Sequence, residues 1–164
     1  MPKFVVEDTF DEWFGDLQAD LNSLEDRQVE VGYFEDQMHK ESGEPLAAIA
    51  SWNNFGVLSK NGTSYHIPPR PFAEMATMFM QDDIDKYNRL IEDALYWGGK
   101  KQIIRSLKMI GQDASDEYRN AIDTQDFKPL APSTIRQKGS DVILIETNQL
   151  YNDATYKIET GGKK

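Results

Sequence analysis

The sequence predicts an α+β fold, a small, mainly antiparallel sheet packed against two long helices, with an amphipathic helix ahead of them. Three observations carry that expectation. Apolar residues keep helical phase for about seven turns from Phe72 to Leu95, and a second stripe runs from Ile103 to Ile122. Val29, Val31 and Tyr33, and later Ala154, Tyr156 and Ile158, alternate with polar neighbours at the period of a half-buried strand. At 164 residues the chain can also withdraw roughly 70% of its unfolded surface from water, enough to build its own core.

In chain order, Phe10, Trp13, Phe14, Leu17, Leu21 and Leu24 define a helix over residues 10–25, capped by Thr9 or Asp8 and weakened at Gly15. A strand is expected at 28–34, then a polar loop around residues 40–43. Pro45 suits the first turn of a short helix bearing Leu46, Ile49, Ala50, Trp52 and Phe55. Asn61-Gly62 reads as a hairpin turn between Val57-Leu58 and Tyr65-His66-Ile67, giving strand structure within 57–67. Pro68-Pro69-Arg70-Pro71 forces an extended approach to a helix over 71–97, with Asp82 and Asp83 facing outward without interrupting it. Gly98-Gly99 ends that helix, and the next, 101–123, folds back as an αα-hairpin. Ser133 or Thr134 opens a turn of helix, a brief helix follows near 147–153, and a strand occupies 154–159. Phe55 and Phe72 are read as core residues. The organisation is an acidic helical segment (1–27), a main domain (28–160) and a flexible tail (161–164).

The net charge is −10 and is placed unevenly: residues 1–44 hold 13 acidic and 3 basic side chains, and residues 45–164 hold 15 of each. With no basic stripe to neutralise phosphates, tight or sequence-specific nucleic-acid binding is disfavoured. The acidic quarter reads as a solvated face or as a surface that repels DNA and keeps it mobile. No apolar run is long enough for a transmembrane helix, and Phe4-Val5-Val6 behind Lys3 is too short for a signal-peptide core, so the Asn61-Gly62-Thr63 sequon is expected to stay unused.

No cysteine is present, which excludes disulfides, thiolate metal sites and a cysteine nucleophile. There is no Gly-x-Ser-x-Gly elbow, and His39 and His66 fall in a charged loop and a strand, a poor start for a triad or a zinc site. Asp82, Asp83 and Asp85 lie on a helix rather than a cation loop and read as a solvated face. Gly98-Gly99-Lys100-Lys101 lacks the glycine spacing and Lys-Ser/Thr of a phosphate loop and reads as a turn. No catalytic, cofactor or metal residues are assigned.

Three separated signatures carry more information. The first is Val29-Glu30-Val31-Gly32-Tyr33, followed by Leu46-Ala47-Ala48-Ile49-Ala50 and Asn53-Asn54-Phe55-Gly56. The second is Ile67-Pro68-Pro69-Arg70-Pro71-Phe72 opening a long helix. The third is Pro129-Leu130-Ala131-Pro132-Ser133-Thr134-Ile135-Arg136-Gln137-Lys138-Gly139, followed by Leu144-Ile145-Glu146-Thr147-Asn148-Gln149-Leu150. In this order and spacing they resemble the neck or tail-completion proteins of tailed bacteriophages, the virion morphogenesis family, over residues 28–160. The family usually shows Glu-Phe-Gly-Thr at Asn54-Phe55-Gly56-Val57 and Thr-Gly-Gln-Leu at Thr147-Asn148-Gln149-Leu150. Asn148 can adopt the left-handed conformation that glycine would take there.

The resemblance implies a non-enzymatic structural protein without cofactors. It would form a ring, a hexamer with a dodecamer as the alternative, in the head–tail neck of a virion assembled in the host cytoplasm. Implied neighbours are the head connector or adaptor and the tail terminator or tail tube proteins. DNA would meet it only in passage, and no membrane is involved. Tail terminator ring and, from another class, small acidic protein-binding adaptor are the alternative readings. Pro68, Pro69, Arg70, Pro71, Arg136 and Lys138 are the candidate interface residues. Arg70 projects from its rigid loop as a surface charge or an intersubunit anchor. Asp8, Asp11, Glu12, Asp16 and Asp20 are expected to face the channel or a basic neighbouring ring, and the apolar stripe of Trp13, Leu17 and Leu21 to serve the subunit's own core or to dock on a neighbour.

Overall fold

The computed structural model of the chain describes residues 7–25, 27–60, 65–144 and 148–160 together with Gly62. Its elements are α1 (Glu7–Glu25), β1 (Arg27–Gly32), α2 (Leu46–Phe55), β2 (Val57–Leu58), β3 (Tyr65–Ile67), α3 (Phe72–Asp82), α4 (Ile84–Trp97), α5 (Gly99–Asp123), α6 (Pro132–Lys138), α7 (Gln149–Asn152) and β4 (Thr155–Thr160). Helix and sheet are mixed, with helix dominant. The expected single sheet is instead two separate two-stranded sheets among the described residues, β1 with β4 and β2 with β3. The β2–β3 pair is the anticipated antiparallel hairpin, Val57 opposite Ile67 and Leu58 opposite Tyr65. Its turn residue Asn61 lies outside the described residues.

The chain divides into two compact units, residues 1–30, 83–111 and 157–164 in one and 31–82 and 112–156 in the other. Each has its own core. In the first, Ala94, Ile103 and Leu107 are buried, with Leu24, Val29, Ile91, Leu95 and Ile158 packed against them. Here α4 and the first half of α5 pack together, a shorter pairing than the expected αα-hairpin of 71–97 with 101–123, and the Ser106 hydroxyl donates to the Leu90 carbonyl at 2.9 Å. In the second, Leu46, Phe72, Ala76, Ala121, Ile122, Ile143 and Leu150 are buried together. Edge-on rings reinforce this core: Tyr33 lies 6.3 Å from Phe72 and 5.9 Å from Tyr118 between centroids. Gly32 enters that cluster with φ +139°, and a β-carbon there would meet the Tyr118 hydroxyl at 3.5 Å, an ordinary contact distance. The Tyr33 hydroxyl donates to the Leu150 carbonyl, and burial pushes the Tyr33 and Tyr118 phenols above their ordinary value.

The long helix expected over 71–97 is broken at Asp83, which has φ −90° and ψ 3° and whose carbonyl accepts the Lys86 and Tyr87 amides that start α4. The two halves present apolar faces to different cores, Phe72 and Ala76 to one and Ile91 and Ala94 to the other. A continuous stripe in sequence thus serves two clusters. Thr9 and Asp8 lie within α1 rather than capping it. Helix α6 starts at Pro132 with Ala131 before it, not at Ser133 or Thr134, because proline at the first helical position needs no amide donor. Phe72 is buried as expected, but Phe55 is 66% exposed. It falls in the last turn of α2, past the buried Leu46, Ala50 and Asn54.

Candidate functional site

A cleft of about 740 Å³ opens in the second unit, lined by residues that include Asn53, Pro68, Arg70, Lys128, Leu130 and Thr134. The sequence dictates how its walls are held. Asn53 and Asn54 occupy the end of α2, and the proline-bearing segment returns beside them from β3. The Arg70 amide donates to the Asn53 carbonyl at 2.9 Å and to that of Asn54 at 3.2 Å. Arg70 Nη1 donates to Asn53 Oδ1 at 2.8 Å, while Asn53 Nδ2 donates back to the Ile49 carbonyl at 2.9 Å. Asn54 completes the join: its Oδ1 accepts the Ala73 amide at 3.0 Å, and its Nδ2 donates to Glu74 Oε1 at 3.1 Å. Asn54 thereby satisfies one of the free donors at the start of α3.

Gly56 lets the strands approach. Its φ is +78°, and a β-carbon there would stand 2.8 Å from the Ile67 carbonyl oxygen and 2.9 Å from the Pro69 nitrogen. The third signature is anchored in the same unit. Asn148 has φ +54°, the left-handed conformation anticipated for it. The buried Gln149 accepts the Lys40 amide at 2.8 Å and donates to the Met38 carbonyl at 3.3 Å and to Asp153 at 3.1 Å.

Arg70 does not project. It is 7% exposed, its guanidinium is held below its ordinary value by burial, and its Nε is buried without a hydrogen-bond partner among the described residues. The loop's rigidity turns the side chain inward onto Asn53, 17 residues earlier. Pro68 lines the cleft, whereas Pro69 and Pro71 are exposed. Arg136 is exposed on α6, and the Lys138 side chain lies outside the described ones. Reading the sequence did not single out Asn53, His39, His66 or Lys128 for this cleft. His39 Nδ1 lies 2.9 Å from the Ser42 hydroxyl and accepts the Ser42 amide at 3.2 Å, which folds the loop locally. The signal for Asn53 was its membership of a signature; the others had none.

In the first unit, Glu12 and Asp16 are exposed on α1 and Asp20 is half-buried. Asp8 and Asp11 belong to the same helix, with side chains outside the described ones. Leu24 and Leu17 are partly buried, but Trp13 and Leu21 are exposed at 48% and 42%, so the stripe is only partly spent on the unit's core. Among the described residues, no helix is long and apolar enough to cross a membrane. No family model matches the chain, and neither a curated protein nor a solved structure similar to it was found.

Proposed function

We propose that this chain is a non-enzymatic structural subunit of the head–tail neck of a tailed phage. It forms a ring, of six copies or alternatively twelve, that completes the tail, joins it to the head connector and leaves a channel for DNA. Tail terminator is the neighbouring role of similar shape. The ordered set of three signatures supports this reading. The observation that carries it is their meeting in one cleft: Asn53 from the first, Pro68 and Arg70 from the second, and Pro129, Leu130, Ala131 and Thr134 from the third. Segments that recur together for a shared surface are expected to be neighbours in space. Pro69, Pro71 and Arg136 are among the exposed described residues of that unit available to an adjoining subunit.

Native mass spectrometry of the full chain tests the reading, with Arg136→Glu beside it. A closed ring weakened by the charge reversal, with circular dichroism unchanged, supports it. A monomer at every soluble concentration, alone and with isolated phage connectors, sinks it. That outcome would favour the acidic adaptor, a reading supported by the exposed Tyr96 and Trp97 of the first unit.

A further inference from the structure

We infer that the groove between α1 and the α4–α5 turn docks a cationic, amphipathic segment of another protein. Trp97 is 83% exposed and Tyr96 70% exposed, their ring centroids 5.5 Å apart. With Trp13 they line a groove whose other members include Leu17, Asp16 and Asp20. Clustered aromatic surface of this kind marks an interaction site in a water-soluble unit. The floor at Gly98-Gly99 carries no side chains, and Gly99 holds φ +64° with the Asp20 carboxylate 3.4 Å from where a β-carbon would stand.

Charge selects the occupant. No lysine or arginine lines this groove, or the second cleft on which Trp97 also borders, where Asp93 stands. Glu12 adds an exposed carboxylate one turn before Asp16. A lysine or arginine side chain laid across this surface would cover the rings with its aliphatic stem, place its cation over a π-face, and end on a carboxylate. Leucine-like residues beside it would fill the space over Leu17 and Trp13. A nucleic acid would be repelled. A second copy seated by two-fold symmetry would bring this acidic patch against its own equivalent, which like-charge repulsion disfavours. The inference stands on the first unit alone and does not require the ring.

Isothermal calorimetry on the full chain tests it, using an acetylated, amidated peptide of leucine and lysine in helical phase as the probe. Saturable one-to-one binding is expected, weakened about tenfold or more by Trp97→Ala and by the pair Asp16→Lys and Asp20→Lys. The pair Glu35→Lys and Glu44→Lys on the second unit should change affinity by less than about twofold. Trp97 and Asp16 are exposed and Asp20 is half-buried, so circular dichroism is read on both groove variants, which are expected to be folded. Absent binding, equal weakening by the two charge-reversed pairs, equal binding of the glutamate-for-lysine peptide, or a dimer of the chain abolished by Trp97→Ala would each overturn the proposal.

Discussion

Arg70 and Asn53 are joined twice, backbone amide to carbonyl at 2.9 Å and Nη1 to Oδ1 at 2.8 Å. One asparagine therefore fixes both the path of the proline-bearing loop and the direction of its only charge. Removing it strands a buried cation.

Asn53→Ala is expected to destabilise the second unit by roughly 2–4 kcal/mol, because a buried charged donor loses its acceptor. Arg70→Ala should cost a comparable amount, and the double variant less than the sum of the two. Urea denaturation of all three measures the coupling. Additive losses would show that the guanidinium finds water instead. Since Arg70 is buried, effects of its removal on assembly must be separated from lost stability, and the exposed Arg136 is the cleaner probe of a subunit contact.

Two glycines should respond in opposite directions. Gly56→Ala places a β-carbon against the Ile67 carbonyl at positive φ and should cost roughly 2–5 kcal/mol. Gly15 lies on an exposed turn of α1 with nothing within 4 Å of a would-be β-carbon, so Gly15→Ala should stabilise by about 0.5–1 kcal/mol. Thermal melts distinguish the two signs.

Tyr33→Phe should lose about 0.5–1.5 kcal/mol at pH 7, the worth of the hydroxyl's bond to the Leu150 carbonyl. The pH dependence runs the other way. Burial raises the Tyr33 phenol in the folded state, so the fold keeps that proton after the unfolded chain has released it. Its contribution is complete below the unfolded value of about 10 and is lost as pH climbs beyond it. Above that point wild-type stability should fall more steeply than that of Tyr33→Phe, as read by denaturation at neutral and alkaline pH. Parallel slopes would show that the phenol is not the group responsible.

Asn148→Gly should be neutral or stabilising by up to about 1 kcal/mol, and Asn148→Ala should cost about 1 kcal/mol, because φ is +54° at this position. Chemical denaturation checks both. If alanine is tolerated at no cost, the turn has an alternative conformation.

Local chemistry was the legible part of this chain. The hairpin, the left-handed Asn148 and most helices follow from turn residues and apolar period, and Gly98-Gly99 marks the α4–α5 turn. What periodicity could not convey was destination. The stripe from Phe72 to Leu95 keeps phase across Asp83, yet its two parts enter different cores. Arg70 in a proline-rich loop reads as a surface charge because its partner Asn53 is distant in sequence. Phe55 reads as core by composition, although its place in the last turn of α2 leaves it outside. Tyr96 and Trp97 fall off the helical stripe, and that very offset leaves them exposed.

The interleaving of the two units has a consequence for biosynthesis. Ile158 packs against the same buried Ala94, Ile103 and Leu107 as Leu24 and Val29 do, and Ala154, buried just before β4, belongs to the other unit, so a few neighbouring late residues serve both units. Contacts so distant in sequence form late and slowly. A nascent chain must hold β1 without its partner strand until β4 has left the ribosome. The acidic side chains that crowd α1 would keep that waiting segment dissolved in the meantime.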